Sequence, residues 1–449
     1  MFGSALSRWT MLHFGAALGA FILAQILMAL GFAFPLRPLF AAGTLVTVHL
    51  LTLGWLSVLM LGALHQFVPV ITGKGKAAGV SALFSLLAIL FGLAAMEAGF
   101  LALGGDLPAA ALLFLPLGGG LVFCGAAIAA ADFARLLWQA RPLSLSARFL
   151  FCGLLFLFAA LGLGITLGLA FAAPRFFPSP AIFGEGLKLH LLAGLFGWFT
   201  LTAMGVSYRL LSMFTLAPEE RGALGNAVLL ASAGGLWAAW LLAFLAALGA
   251  PVPGAATAAA LIVTGFGFAL YLFDMARLYR ARRRQKLELN ALMAIASLAF
   301  LAIALLCALL FSLFGFDERL LGALAYLFLF GWLSGLGLSQ LYKIVPFLTW
   351  LQRYGPVLGK RPVPRVQDLV DESRDRPWFI LYFASVAAAA GFAALGFPLV
   401  WRFAVAGQLL ATVMILRALW LVRRGLPEGP EMLAAPAAAQ GGPRFSSTA

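Results

Sequence analysis

HLLTLGWLSVLMLGALHQFVPV, residues 49–70, decides how this chain is read. It is an apolar run of membrane-helix length with a Gly-Trp pair inside it, and histidines at its first position and near its end. Two other stretches repeat it: HLLAGLFGWFTLTAMGVSYRLLSM from His190 and AYLFLFGWLSGLGLSQLYKIVPF from Ala325. With Gly54-Trp55, Gly197-Trp198 and Gly331-Trp332 in register, His65, Tyr208 and Tyr342 fall together eleven residues past each glycine. Gln66, Arg209 and Lys343 follow, and then Pro69, Ser212 and Pro346. A repeat of this period defines the architecture before any single element does.

Working outward, 63% of the 449 residues are hydrophobic and 10% charged, with a mean hydropathy of +1.03. A soluble chain cannot bury that much apolar surface. Many runs reach ~20 residues, enough to cross ~30 Å of hydrocarbon. The sequence predicts an all-α polytopic bundle of about twelve spans, from 11–33 and 41–70 through 187–213 and 320–346 to 400–422. No charged leader, short apolar core and cleavage site opens the chain, so a cleaved signal peptide is not expected.

The net charge of +14 is a topology signal and argues against nucleic acid as a partner. Lys74, Lys76, Arg135, Arg141, Arg148, Arg221, the run from Arg277 to Lys286, Lys360, Arg361, Arg365, Arg423 and Arg424 all follow even-numbered spans. The opposite side holds only Arg37, Arg175, Lys188, Arg319 and Arg402. The positive-inside rule then places both termini in the cytoplasm of a bacterial-type inner (plasma) membrane. A second repeat supports the first: DFARLLWQAR from Asp132, DMARLYRARR from Asp274 and ILRALWLVRR from Ile415 align Arg135, Arg277 and Arg417, which read as snorkelling anchors. The unit is about four helices used three times, giving three pseudo-threefold arcs (approximately 1–143, 144–286 and 287–425) in one transmembrane domain, 1–425. A charged cytoplasmic loop is expected at 350–377 and a disordered tail at 426–449. With no soluble catalytic domain in view, chemistry is expected inside the bundle.

The chemical inventory is short. Cys124, Cys152 and Cys307 are scattered, with no CxxC or CxxCH, which excludes covalent c-type haem and iron–sulfur ligation. Four histidines remain. On the predicted topology His49 and His190 are near the outer ends of spans two and six; His13 and His65 are near the inner side. Imidazole in hydrocarbon is costly unless bonded or bound to metal, and it is a common ligand of haem iron and copper. His49 and His190, on corresponding helices, are expected to converge on one metal or haem; His65 and His13 are secondary candidates. His49 and His65 are 16 residues apart, roughly 24 Å and about 160° on an ideal helix, so they should not share a face. Glu97 is an intramembrane carboxylate and a proton-pathway candidate. Tyr326 has the offset from Gly331 that His49 has from Gly54, making it a candidate to bond a cofactor. The Gly-Trp pairs read either as sites of close helix approach or as places for a flat group.

Twelve spans in three arcs, with histidines near the outer ends of spans two and six, resemble the catalytic subunit of haem–copper oxidases. The segments quoted above, with LYKIVPFLTWLQRYGPVLGK, are most similar to divergent subunit I-like relatives near the C-family oxidases, the nitric oxide reductase large subunits and the NnrS-like membrane haem proteins. The resemblance spans roughly residues 10–425. It implies b-type haem and copper as cofactors, a cytochrome c-type or quinol electron donor, and other respiratory subunits as partners. It also implies that His49 corresponds to the span-two low-spin haem ligand and His190 to the span-six active-site metal ligand. The family's histidines on spans seven and ten have no counterpart in residues 222–249 or 320–346. A complete binuclear centre, and full oxygen reduction with it, is therefore not expected. The expectation is a membrane haem protein in electron transfer or nitric oxide or oxygen handling. A non-redox transporter, a metal- or haem-handling protein and a non-catalytic oxidase-associated subunit are the alternatives.

Overall fold

The computed structural model describes residues 4–32, 34–74, 79–177, 182–219, 222–315, 317–360 and 362–425. Lys76, Arg221, Arg361 and the expected tail at 426–449 lie outside the described residues. Twelve helices are long and apolar enough to cross a membrane: α1 Arg8–Ala29, α2 Ala42–Thr72, α3 Ser81–Gly104, α4 Ala109–Gln139, α5 Leu145–Ala172, α6 Phe183–Thr215, α7 Gly222–Ala247, α8 Gly254–Arg280, α9 Leu289–Phe314, α10 Glu318–Val357, α11 Glu372–Leu395 and α12 Pro398–Arg424. Among the described residues there is no strand. The protein is an all-α, multi-pass membrane bundle. Its outside is greasy (Phe91, Ile262 and Phe403 are about seven-tenths exposed) while Gln25, Thr47, Ser334 and Gln408 are buried. That inversion suits hydrocarbon as solvent, where interhelical polar contacts and close packing hold helices together.

The three Gly-Trp helices share a feature that the sequence did not disclose. Each passes into π-helix around its Gly-Trp pair, over Leu50–Ser57 in α2, Leu192–Leu201 in α6 and Leu327–Ser334 in α10. A π turn takes in an extra residue. The 160° separation of His49 and His65, which assumes 100° per residue, therefore does not hold: Leu50–Ser57 lies between them and rotates them less.

The glycines are there for packing. A Cβ on Gly197 would stand 2.3 Å from Phe156 of α5, and one on Gly331 2.3 Å from Phe300 of α9. One on Gly54 would stand 2.8 Å from Ala20 of α1. Each copy thus seats a side chain of the preceding span on its glycine, so the Gly-Trp pairs serve helix approach. The tryptophans bind the three helices to one another. Trp198 Nε1 donates to Ser57 Oγ (3.1 Å) and Trp55 Nε1 to Ser334 Oγ (2.9 Å). The third such bond, from Trp332 to Thr200, is not made: Trp332 Nε1 has no partner, and the Thr200 hydroxyl donates to Leu195 O (2.8 Å).

At the end carrying the basic loops, Arg135, Arg277 and Arg417 are all exposed, in keeping with the anchoring role expected of them. The loop expected at 350–377 is shorter than the charge pattern suggested. Helix continues to Val357, and α11 starts at Glu372 because Asp371 caps it, accepting from Ser373 N (3.0 Å) and Arg374 N (3.2 Å). Glu288 pairs with Arg284 and, at 2.5 Å, with Lys343, while Tyr342 donates to Asp375 Oδ2 (2.7 Å). These bonds hold α9, α10 and α11 together at the basic end.

Candidate functional site

The structure sorts the four histidines into two pairs at opposite ends of the bundle. His49 and His190 face each other at the end away from the basic loops. Their ring centroids are 6.5 Å apart and their planes differ by 29°. His49 Nδ1 is 2.8 Å from Leu45 O, one turn back on α2, and His190 Nδ1 is 2.8 Å from Ala160 O on α5. A carbonyl can only accept, so each Nδ1 carries the proton and each Nε2 keeps its lone pair. A metal-binding imidazole is held in the same way, its second nitrogen donating to a backbone or carboxylate oxygen.

The neighbours of this pair are apolar or lack side chains. Phe100 of α3 packs on His49 with centroids 4.7 Å apart. On α5, Gly164 stands where a Cβ would be 3.2 Å from His190 Cε1. Both histidines are half-buried. One turn along α3 from Phe100, both carboxyl oxygens of Glu97 are buried without a partner.

The second pair is at the basic end. His13 on α1 and His65 on α2 have centroids 5.4 Å apart, planes at 65°, and exposures of 0% and 2%. His65 also packs on Phe133 of α4 (5.0 Å). His49 and His65 thus have different ring partners, at opposite ends of the bundle. Tyr326 goes elsewhere: its hydroxyl donates to Gln408 Oε1 (2.6 Å), and its ring stacks on Phe330 and Phe34. Packing and one satisfied hydrogen bond account for it, and the structure gives it no histidine neighbour.

A cavity of about 650 Å³ opens between α2, α6 and α10 toward the basic end, lined mainly by apolar side chains, with Gln66, Arg284, Gln340 and Lys343 among the polar ones. No histidine lines it. Among the described residues there is no group of three or more His, Cys, Asp or Glu able to hold a metal ion. No family model matches the chain, and no curated protein matches it significantly.

Sequence reasoning missed Leu45 O and Ala160 O, since backbone acceptors leave no mark in a sequence. It also missed Gly164, one of 49 glycines; it set His13 and His65 together on the inner side without foreseeing that their rings touch.

Proposed function

We propose that this protein is a membrane haem protein of the oxidase subunit I-like kind, in which His49 and His190 are the two axial ligands of a single b-type haem. The spacing of the two rings carries this reading. A metal–imidazole bond is ~2.1 Å and a ring centroid is about 1.1 Å beyond its nitrogen, so two imidazoles on opposite sides of one metal put their centroids roughly 6.4 Å apart. The separation here is 6.5 Å. The ring planes differ by 29°, and each Nδ1–H is anchored on a carbonyl, which leaves both Nε2 lone pairs available to a ligand. When bound, haem would supply one-electron chemistry, with His49 and His190 as the residues that would hold it.

This reading departs from the ligand roles that the resemblance implies. There His49 would hold a haem and His190 a copper ion. At this spacing the two share one group, and the pair lacks the further histidines a binuclear centre requires. Electron transfer is therefore favoured over oxygen reduction. The protein's own residues fix the two rings, pack Phe100 on His49, and keep the Glu97 carboxyl one turn along α3 from Phe100 as a place to hold a proton. On the positive-inside rule the termini are cytoplasmic and the pair is near the outer face of a bacterial plasma membrane. The electron donor would be a cytochrome c-type protein or a quinol.

The test is a reduced-minus-oxidised optical spectrum of the purified protein, with haem quantified per chain. The expected result is low-spin b-type bands, lost or converted to high-spin bands in His49→Ala and in His190→Ala. Full, spectrally unchanged haem in both variants would refute the assignment.

A further inference from the structure

The pair His13–His65 is the other unexplained cluster, and its position in the repeat shows why it is unusual. A Cβ on Gly62, eight residues past Gly54, would stand 2.4 Å from His13 Cβ. A Cβ on Gly205, eight residues past Gly197, would stand 2.7 Å from Phe149 Cβ. His13 on α1 is therefore the counterpart of Phe149 on α5, as His65 is of Tyr208. Phe149 and Tyr208 pack at 5.8 Å, close to the 5.4 Å of the histidines. The fold at this place needs two packed rings and is content with Phe and Tyr. The first copy carries two imidazoles instead, and three of their four nitrogens (His13 Nε2, His65 Nδ1 and His65 Nε2) are buried without a partner. Unpaired polar atoms in such surroundings are costly.

The arrangement is preorganised. His13 Nδ1 is 2.9 Å from Trp9 O, so it carries the proton and Nε2 presents a lone pair, the same device as in the other pair. Beside it, Gln66 Nε2 donates to Thr10 Oγ1 (3.1 Å) and Thr10 Oγ1 to Gly62 O (3.2 Å), fixing α1 against α2. We propose that His13 Nε2 and one nitrogen of His65 bind a monovalent soft cation, Cu(I), as a site separate from His49 and His190. Centroids 5.4 Å apart are close enough for one ion to reach a nitrogen of each ring at ~2.1 Å. Among the described residues no carboxylate or thiolate joins the pair. That disfavours a divalent ion, whose charge would go uncompensated in an apolar interior.

The experiment is an anaerobic Cu(I) titration of the purified, membrane-embedded chain against the chelator bicinchoninate. The comparison is with the double substitution His13→Phe, His65→Tyr, which installs the pair already packed between α5 and α6. Wild type should bind one more Cu(I) per chain than the double variant, with at least 100-fold weaker binding at that site in the variant. Haem content, measured in the same samples, should not change. X-ray absorption of loaded wild type should show two or three nitrogen-type donors. Identical isotherms, including the case where the two rings only hydrogen-bond to each other, would overturn the proposal. If copper uptake falls in His49→Ala and stays in the double variant, the copper belongs to the other pair and this proposal fails while the chain still binds metal.

Discussion

Gly164 offers the most direct test of the proposed haem site, because it acts on His190 without removing a ligand. A Cβ there would stand 3.2 Å from Cε1 and 3.6 Å from Nδ1 of His190, so the ring must retreat by a few tenths of an ångström. The ring is not free to do so, since Nδ1 is held 2.8 Å from Ala160 O. The retreat then comes out of its aim. Turning a side chain ~30° off its rotamer costs about 0.5–1.5 kcal/mol, and a shift this small belongs at the low end. At 1.4 kcal/mol per decade, Gly164→Ala should weaken haem retention about twofold to fourfold. Gly164→Val, with two more methyls aimed at the ring, should weaken it tenfold or more. Gly162 is the control on the same helix: nothing lies within 4 Å of its virtual Cβ, so Gly162→Ala should leave retention at the wild-type level. The assay is haem transfer to excess apomyoglobin, followed optically. Equal transfer from wild type, Gly164→Ala, Gly164→Val and Gly162→Ala would show that His190 is not aimed at a cofactor.

Three further outcomes follow from the packing and the caps. Gly331→Ala drives a Cβ to 2.3 Å from the Phe300 ring and should cost about 1–3 kcal/mol, read as a lower melting temperature in detergent that Phe300→Ala partly restores. Trp198→Phe removes the bond to Ser57 and should cost about 1 kcal/mol, whereas Trp332→Phe removes an indole N–H without a partner and should cost measurably less in the same melt. The Asp371 carboxyl is held below its usual range by the hydrogen bonds it accepts from the Ser373 hydroxyl and the Arg374 amide. A depressed carboxylate stabilises the fold above its unfolded-state value and loses that contribution as pH falls. Asp371→Ala should therefore cost about 1 kcal/mol at neutral pH, and the gap to wild type should close below about pH 4 in a pH series of melts.

The length and number of the spans were legible because hydrocarbon thickness sets both. The three Gly-Trp helices were legible because their residues recur in register. The π segments were not, since a π turn is chosen by what packs against it and the same Leu-rich run serves either helix. The convergence of His49 and His190 was readable from scarcity and from related helices. Their orientation was not, because it rests on Leu45 O, on Ala160 O and on a glycine that keeps α5 clear of the ring. His13 and His65 were readable as an inner pair, but their ring contact was not, because which residue of α1 faces α2 is set by the bare surface at Gly62.

The repeat also separates positions that hold the fold from positions that depart from it. The glycines beside the tryptophans recur and all receive a neighbour. At the end away from the basic loops, the position of His49 is held by Leu192 in copy two and by Tyr326 in copy three, whose hydroxyl is satisfied by Gln408, while His190 lies two residues before that position. At the basic end, copies two and three carry Tyr208 and Tyr342, and copy one alone carries an imidazole with a second imidazole across from it. A residue that packs as well as its counterparts but adds an unmet lone pair adds nothing to the bundle's stability. At His13 and His65 the departure leaves three buried nitrogens without a partner, a cost that a bound ion could offset. The inner histidine pair is where the first copy sets two imidazoles in place of the Phe149 and Tyr208 of the second.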